Sequence, residues 1–242
     1  PITHYRLGYV YVHSDQLEKA EHHLERALEI YPQLAPAMAA LGYTFRRKAE
    51  KMPEGMERIQ TFNEAEGKLL AALKLSPSMI DDDGESWWGS LGGLYRRTGQ
   101  IGEAIYAYEE AGKVTPKSSY PFSNLALLYM QRQEWEKMEQ TYERVEVLAG
   151  DEIRADSSNY WAYNDLLTSR LAQRKIEESE EALRAVVNTV PADAIYAVES
   201  LINTLLRLQE GLGEERGAHI TPFVERLRDH IANLQAAEPV GD

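Results

Sequence analysis

The stretch Trp88–Pro116, WGSLGGLYRRTGQIGEAIYAYEEAGKVTP, decides the fold. Leu91-Gly92 and Tyr95 open it, Thr98-Gly99 interrupts it, and Ala104, Tyr108 and Ala111 resume it before Pro116. Apolar residues three and four apart are the spacing of an amphipathic helix. Glycine suits a tight turn, and proline cannot continue a helix. The stretch therefore reads as two helices joined by a turn and stopped by proline.

Working outward, the same signature returns at a fixed interval. Leu7-Gly8 with Tyr11 and Leu41-Gly42 with Phe45 stand 34 residues apart, and so do Leu91-Gly92 with Tyr95 and Leu125-Ala126 with Tyr129. Ala20, Leu24, Ala27 and Pro32 answer Ala104, Tyr108, Ala111 and Pro116; Leu7 to Pro32 and Leu91 to Pro116 each span 25 residues. Small residues at 8, 42, 92 and 126 let the first helix approach the second, where Ala20, Ala65 and Ala104 are also small. The aromatic residues fill the wedge between neighbouring pairs. Pro32, Pro77, Pro116 and Pro191 stop the second helices.

These residues resemble the tetratricopeptide repeat family, most specifically in the first and third units, where Trp88 also fits. The fourth unit lacks the closing proline and has Met138 where a small residue is expected. The fifth keeps Leu166, Ser179, Leu183 and Pro191 without the glycine. The resemblance implies an all-α, right-handed α-α superhelical solenoid of about five to six helix-turn-helix repeats with a C-terminal capping helix. It forms one domain over 1–242, with units at 1–34, 35–79, 85–118, 119–152 and 160–193, then a degenerate repeat and capping helix over 194–236.

The second unit is stretched by 11 residues, since Gly42 to Pro77 spans 35 against 24 for Gly8 to Pro32. The insertion around Lys51–Gly55 lengthens both helices into a hairpin, within which Met52, Met56, Ile59 and Phe62 are expected to pack, a partner contact being the alternative. A second insertion, Asp81–Glu85, reads as a solvated acidic turn. After Pro191, Val198, Leu201, Ile202, Leu205 and Leu208 mark another helix, stopped at Gly211–Gly213. Thr221 and Pro222 then read as an N-cap and first turn, and the tail from 237 as frayed.

Composition narrows the function. The 242 residues are 43% hydrophobic, with 26 basic and 39 acidic side chains and a net charge of −13. So acidic a chain repels phosphate backbones and anionic membranes, which argues against nucleic acid as a partner. No run approaches the roughly 18 apolar residues of a membrane span, so membrane insertion is not expected. There is no cysteine and hence no disulfide or thiolate chemistry. The chain starts at Pro1 without a signal-peptide pattern, as expected of a processed chain or an excised segment. Cytoplasmic location is the expectation, with the periplasm or a longer parent chain as alternatives.

Chemistry-bearing motifs are missing. Gly211-Leu212-Gly213 with Gly217 has the wrong spacing for a phosphate-cradling loop. His22 and His23 are adjacent, so on a helix they face different directions. A calcium loop with Gly84 at its sixth position would begin at Met79, which is no ligand. No cofactor, no metal and no catalytic residue are expected.

What remains is a surface for a partner. The first helix of each pair lines the concave side of such a solenoid. That register selects Tyr5 and Tyr9, then Tyr43, Arg46 and Arg47, then Gly93, Arg96 and Arg97. It continues with Tyr120, Ser123, Asn124, Leu127 and Gln131, and with Trp161, Asn164 and Asp165. Two arginine pairs at equivalent points suggest a positive site that grips carboxylates bidentately. The alternative is that they serve helix ends and neighbouring glutamates. The expected function is a non-catalytic scaffold or adaptor that binds a peptide or protein segment carrying acidic residues. A self-associating module and an accessory interaction domain of a larger enzyme or regulatory protein are the alternatives. The family's chaperone-tail clamp is not implied, because Tyr5 and Tyr9 stand where it needs lysine and asparagine.

Overall fold

The computed structural model describes residues 1–192 and 194–237; the expected fraying beyond residue 237 lies outside them. The fold is an all-α solenoid of helical hairpins. Its helices sort into two compact units, residues 1–116 and 117–242.

In the first unit α1 (Ile2–His13) pairs with α2 (Leu17–Ile30), α3 (Ala35–Lys51) with α4 (Met56–Leu75), and α5 (Trp87–Arg97) with α6 (Ile101–Val114). The apolar period drives this. On α2 the residues Leu17, Ala20, Leu24 and Ala27 are buried, one stripe at intervals of three and four. Glycine sits where two helices meet: a Cβ on Gly42 would lie 2.8 Å from the Ala65 carbonyl oxygen and 2.9 Å from Leu69 Cγ. Each helix that precedes a proline stops two residues before it: α2 before Pro32, α4 before Pro77, α6 before Pro116.

The insertion does lengthen the second hairpin, to 17 and 20 residues in α3 and α4. Its apolar residues do not all pack inward as expected. Phe62 is buried and Met52 half-buried, but Met56 and Ile59 are 80% and 55% exposed. At about 100° per residue Met56 lies across the helix from the buried stripe of Phe62, Ala65, Leu69 and Ala72, and Ile59 lies to its side.

In the second unit α7 (Tyr120–Gln131) and α8 (Trp135–Ala155) form one hairpin, and α9 (Tyr160–Ala172) and α10 (Ile176–Thr189) the next. With no proline to stop it, α8 runs for 21 residues. Then come α11 (Ile195–Leu212), a short α12 (Glu214–Gly217), a 3-10 turn (Ala218–Ile220) and α13 (Thr221–Ala237). Thr221, expected as an N-cap, is itself helical because the chain enters α13 directly from that turn. Its hydroxyl accepts a hydrogen bond from Gln209 Nε2 at 2.8 Å.

Here serial stacking stops. Helix α11 rests on α9 and α7, and α13 takes the place beside α10. The Arg226 guanidinium on α13 reaches both carboxylate oxygens of Glu180 on α10 at 2.7 Å. Val198, Leu201, Ile202, Leu205 and Leu208 of α11 share one apolar cluster with Leu127 and Met130 of α7 and with Leu166 and Leu167 of α9. A Cβ on Gly211 would fall 2.2 Å from Met130 Cε, so a larger residue there would have to displace the end of that side chain.

Candidate functional site

In the first unit, α1, α3 and α5 are the first helices of their pairs, and the candidate residues lie on them. Tyr5 and Tyr9 are on one face of α1, but they are buried. The acidic turn between α4 and α5 folds back over them. The Tyr5 hydroxyl donates to Asp82 at 3.2 Å and the Tyr9 hydroxyl to Asp83 at 2.9 Å. Burial and these carboxylates raise both phenol pKa values, so the rings stay neutral donors. An isolated antiparallel bridge between Ile80 and Ser86 closes the turn. Asp81 Oδ1 accepts the backbone N–H groups of Asp83 and Glu85 at 3.0 and 2.8 Å. The acidic turn is thus hydrogen-bonded in place, while Asp82, Asp83 and Gly84 stay exposed to solvent as expected. It removes Tyr5 and Tyr9 from any partner's reach.

Tyr43, half-buried on α3, stacks on His13 and meets Trp87 edge-on at 6.4 Å; Trp87 also meets Tyr9 edge-on at 6.4 Å. Trp87 therefore joins α1, α3 and α5. Trp88, which the repeat pattern singles out, faces away and donates to the Pro77 carbonyl at 2.8 Å. Adjacent helical residues point about 100° apart, so the Trp87-Trp88 pair signalled two faces at once.

The arginines divide. Arg47 turns to Asp15 at 3.0 Å and is an ordinary ion pair. Arg46 lies over the Tyr43 ring at 4.5 Å and is buried. Its guanidinium and that of Arg97 converge at Gly93: a Cβ there would stand 3.0 Å from Arg46 Nη1, 3.4 Å from Arg97 Nη1 and 3.5 Å from the Tyr108 hydroxyl. Glu50 reaches both, at 2.5 Å from Arg97 Nε and 3.6 Å from Arg46 Nη1. Positive charge is crowded there. Burial lowers the Arg97 pKa to about 10, and the Arg46 charge lowers it next, outweighing Glu50. Arg96 is half-buried beside them, its Nε shielded and without a hydrogen-bond partner. Glu50 was missed in the sequence, although its place four residues after Arg46 is the spacing of a helical ion pair.

In the second unit the candidates separate by depth. Tyr120 and Trp161 are exposed, and Gln131 lies at the exposed end of α7. Asn124 is half-buried and donates to the Tyr120 carbonyl at 3.0 Å. Leu127 and Asn164 are not available to a partner. Leu127 is buried in the cluster shared with α11, and Asn164 Nδ2 donates to the Ala197 carbonyl of α11 at 3.3 Å. The chain's own helix fills the face on which they were expected to line a groove. Sequence spacing alone does not show this, because α11 carries the same apolar stripe that stacking on α10 would need. What stays exposed is aromatic: Trp161 lies 5.3 Å from Tyr160 and 6.1 Å from Tyr196, and the hydroxyls of Tyr160 and Tyr196 are 3.0 Å apart.

Serial helical hairpins that present side chains of their first helices define a protein-interaction scaffold. Models of the tetratricopeptide repeat match residues 1–34 and 122–152, and the chain carries tetratricopeptide repeats. Among solved structures it is similar to Pseudomonas aeruginosa pilF, at 18% identity, with a TM-score of 0.56, over 98% of this chain and 96% of that one. It is likewise similar to a thermophilic tetratricopeptide-repeat protein of Thermus thermophilus, at 17% identity, with a TM-score of 0.57, over 84% of this chain and 98% of that one. At these identities the likeness is one of fold. No curated protein sequence matches the chain.

Proposed function

We propose that the chain is a non-catalytic adaptor whose first unit receives a carboxylate-bearing segment of another polypeptide at Arg97, with the buried Arg46 adding its charge from behind. The convergence of the two guanidinium groups on Gly93 carries the reading. Like charges held together in a partly desolvated place repel, and an arriving carboxylate relieves that repulsion while gaining charge-assisted hydrogen bonds. Glu50 already occupies part of this role, which predicts a moderate affinity sensitive to salt. Glycine at 93 leaves room for the two guanidinium groups, which a side chain there would press apart. The exposed aromatic group of the second unit supplies a separate apolar contact.

The test uses a fluorescein-labelled Glu/Gly peptide and the whole chain, followed by anisotropy at low salt. The Arg46→Gln, Arg97→Gln double variant should bind at least about tenfold more weakly, on the scale of one charged hydrogen bond. Glu50→Gln should bind more tightly, because it frees both guanidinium groups. Helical circular dichroism checks that each variant is folded. If the double variant and Glu50→Gln both bind like the parent, the site is not where acidic segments dock.

A further inference from the structure

Away from that face, α1 and α2 bring two imidazoles together. His4 Nδ1 and His23 Nδ1 are 3.0 Å apart, with the ring centroids at 5.2 Å. They are 19 residues apart in sequence and meet only because the hairpin closes. The His23 ring is held by stacking on Tyr11, at 5.4 Å and 13° between planes. His22, adjacent in sequence, stands edge-on to His23 with centroids 5.4 Å apart. Both rings of the close pair are half-buried, so solvent and ions reach them.

Two neutral imidazoles at this separation share one Nδ1 proton in a hydrogen bond. The same separation also suits a chelate. With metal–nitrogen bonds of about 2.0–2.1 Å, a 3.0 Å bite subtends about 95° at the ion. That is near the right angle of tetragonal copper(II) or nickel(II) and narrower than the tetrahedral angle of zinc. Chelation requires each ring to turn about its Cβ–Cγ bond until both Nδ1 lone pairs meet at one point, and the shared proton to move to an Nε2. The chain's net charge of −13 draws cations to its surface. Among the described residues no set of three or more His, Cys, Asp or Glu gathers to hold an ion. Water must therefore fill the remaining positions.

We infer that His4 and His23 form a two-point chelate for a divalent transition-metal ion, copper(II) ahead of nickel(II) and zinc(II), that clasps α1 to α2. The whole chain, prepared without a histidine tag, is titrated with copper(II) at about pH 7.5 and followed by electron paramagnetic resonance and calorimetry. One saturable site is expected, with superhyperfine splitting from two imidazole nitrogens. His4→Ala and His23→Ala should each weaken binding at least about tenfold, while His22→Ala leaves it unchanged. Acidifying the parent to about pH 5 should release the ion, which tests the site without substitution. Absence of saturable binding by the parent overturns the inference. So does parent-like affinity in both His4→Ala and His23→Ala, or a loss in His22→Ala as large as theirs.

Discussion

Between the two helices of every described hairpin but the second, one residue enters the left-handed backbone region to reverse the chain. It is Gly99 in the third hairpin, at φ +77°, but Asp15, Gln133 and Arg174 in three others, at +61°, +58° and +58°. The backbone N–H that follows each closes the turn on a carbonyl five residues back, as from Gln100 to Tyr95 and from Glu134 to Tyr129. A residue with a Cβ is strained there by about 1–2 kcal/mol, partly offset by the entropy that glycine loses. Gln133→Gly and Arg174→Gly should each stabilise the protein by about 0.5–1 kcal/mol, seen as a higher thermal midpoint. Asp15→Gly should gain nothing, because the Asp15 carboxylate binds Arg47 and Lys51. A lower midpoint in both Gln133→Gly and Arg174→Gly would count against the strain. At this scale the sequence was readable at Gly99, Gly42 and the prolines, where composition announces geometry. It was silent where an ordinary residue bears the same backbone angle, and where Glu50, Asp82 and Asp83 take partners that were expected to be outside the chain.

At the junction of α7, α8 and α9, one serine hydroxyl lies between two carboxyl groups. Ser119 Oγ is 2.7 Å from Asp165 Oδ2 and 3.0 Å from Glu152 Oε2, while its backbone N–H donates to Glu152 Oε1 at 2.7 Å. A hydroxyl has one proton to give, so satisfying both contacts requires one carboxyl to be protonated and to donate in turn. Burial raises the Asp165 pKa to about 6 and that of Glu152 in the same direction. The folded state therefore holds the Asp165 proton more tightly than the unfolded chain, whose value is 3.8. The associated stability is complete below about pH 4 and is lost as the pH rises through about 6, by up to about 3 kcal/mol. Asp165→Asn should flatten this part of a stability–pH curve measured by urea unfolding. A curve as steep as the parent's would place the titration elsewhere. The helices themselves were legible from their periodicity and proline stops. This proton was not, because Ser119, Glu152 and Asp165 are 33 and 46 residues apart and meet only across three packed helices.

For the molecule as a whole, the order of hairpins was written in the 34-residue interval, and the last step of the packing was not. An apolar stripe states that a helix must be covered but not by what. Helix α11 could satisfy its stripe on α10 or across α9 and α7, and the structure takes the second course. Leu127, which spacing assigns to a binding face, is core as a result. Leu127→Ala and Leu205→Ala should each cost about 2–5 kcal/mol in urea unfolding, whereas Asn203→Ala on the exposed side of α11 should cost little. Leu127→Ala at full stability would mean that α11 does not cover it.

A chain of stacked hairpins is open-ended, since whatever surface one pair offers can seat a copy of itself. Here that option is used up. With α13 against α10 and α11 laid inward over its predecessors, an extra hairpin inserted after Thr189 would find its seat taken and would have to evict both helices. Lengthening by duplication is therefore easy among the first hairpins and blocked after the fifth.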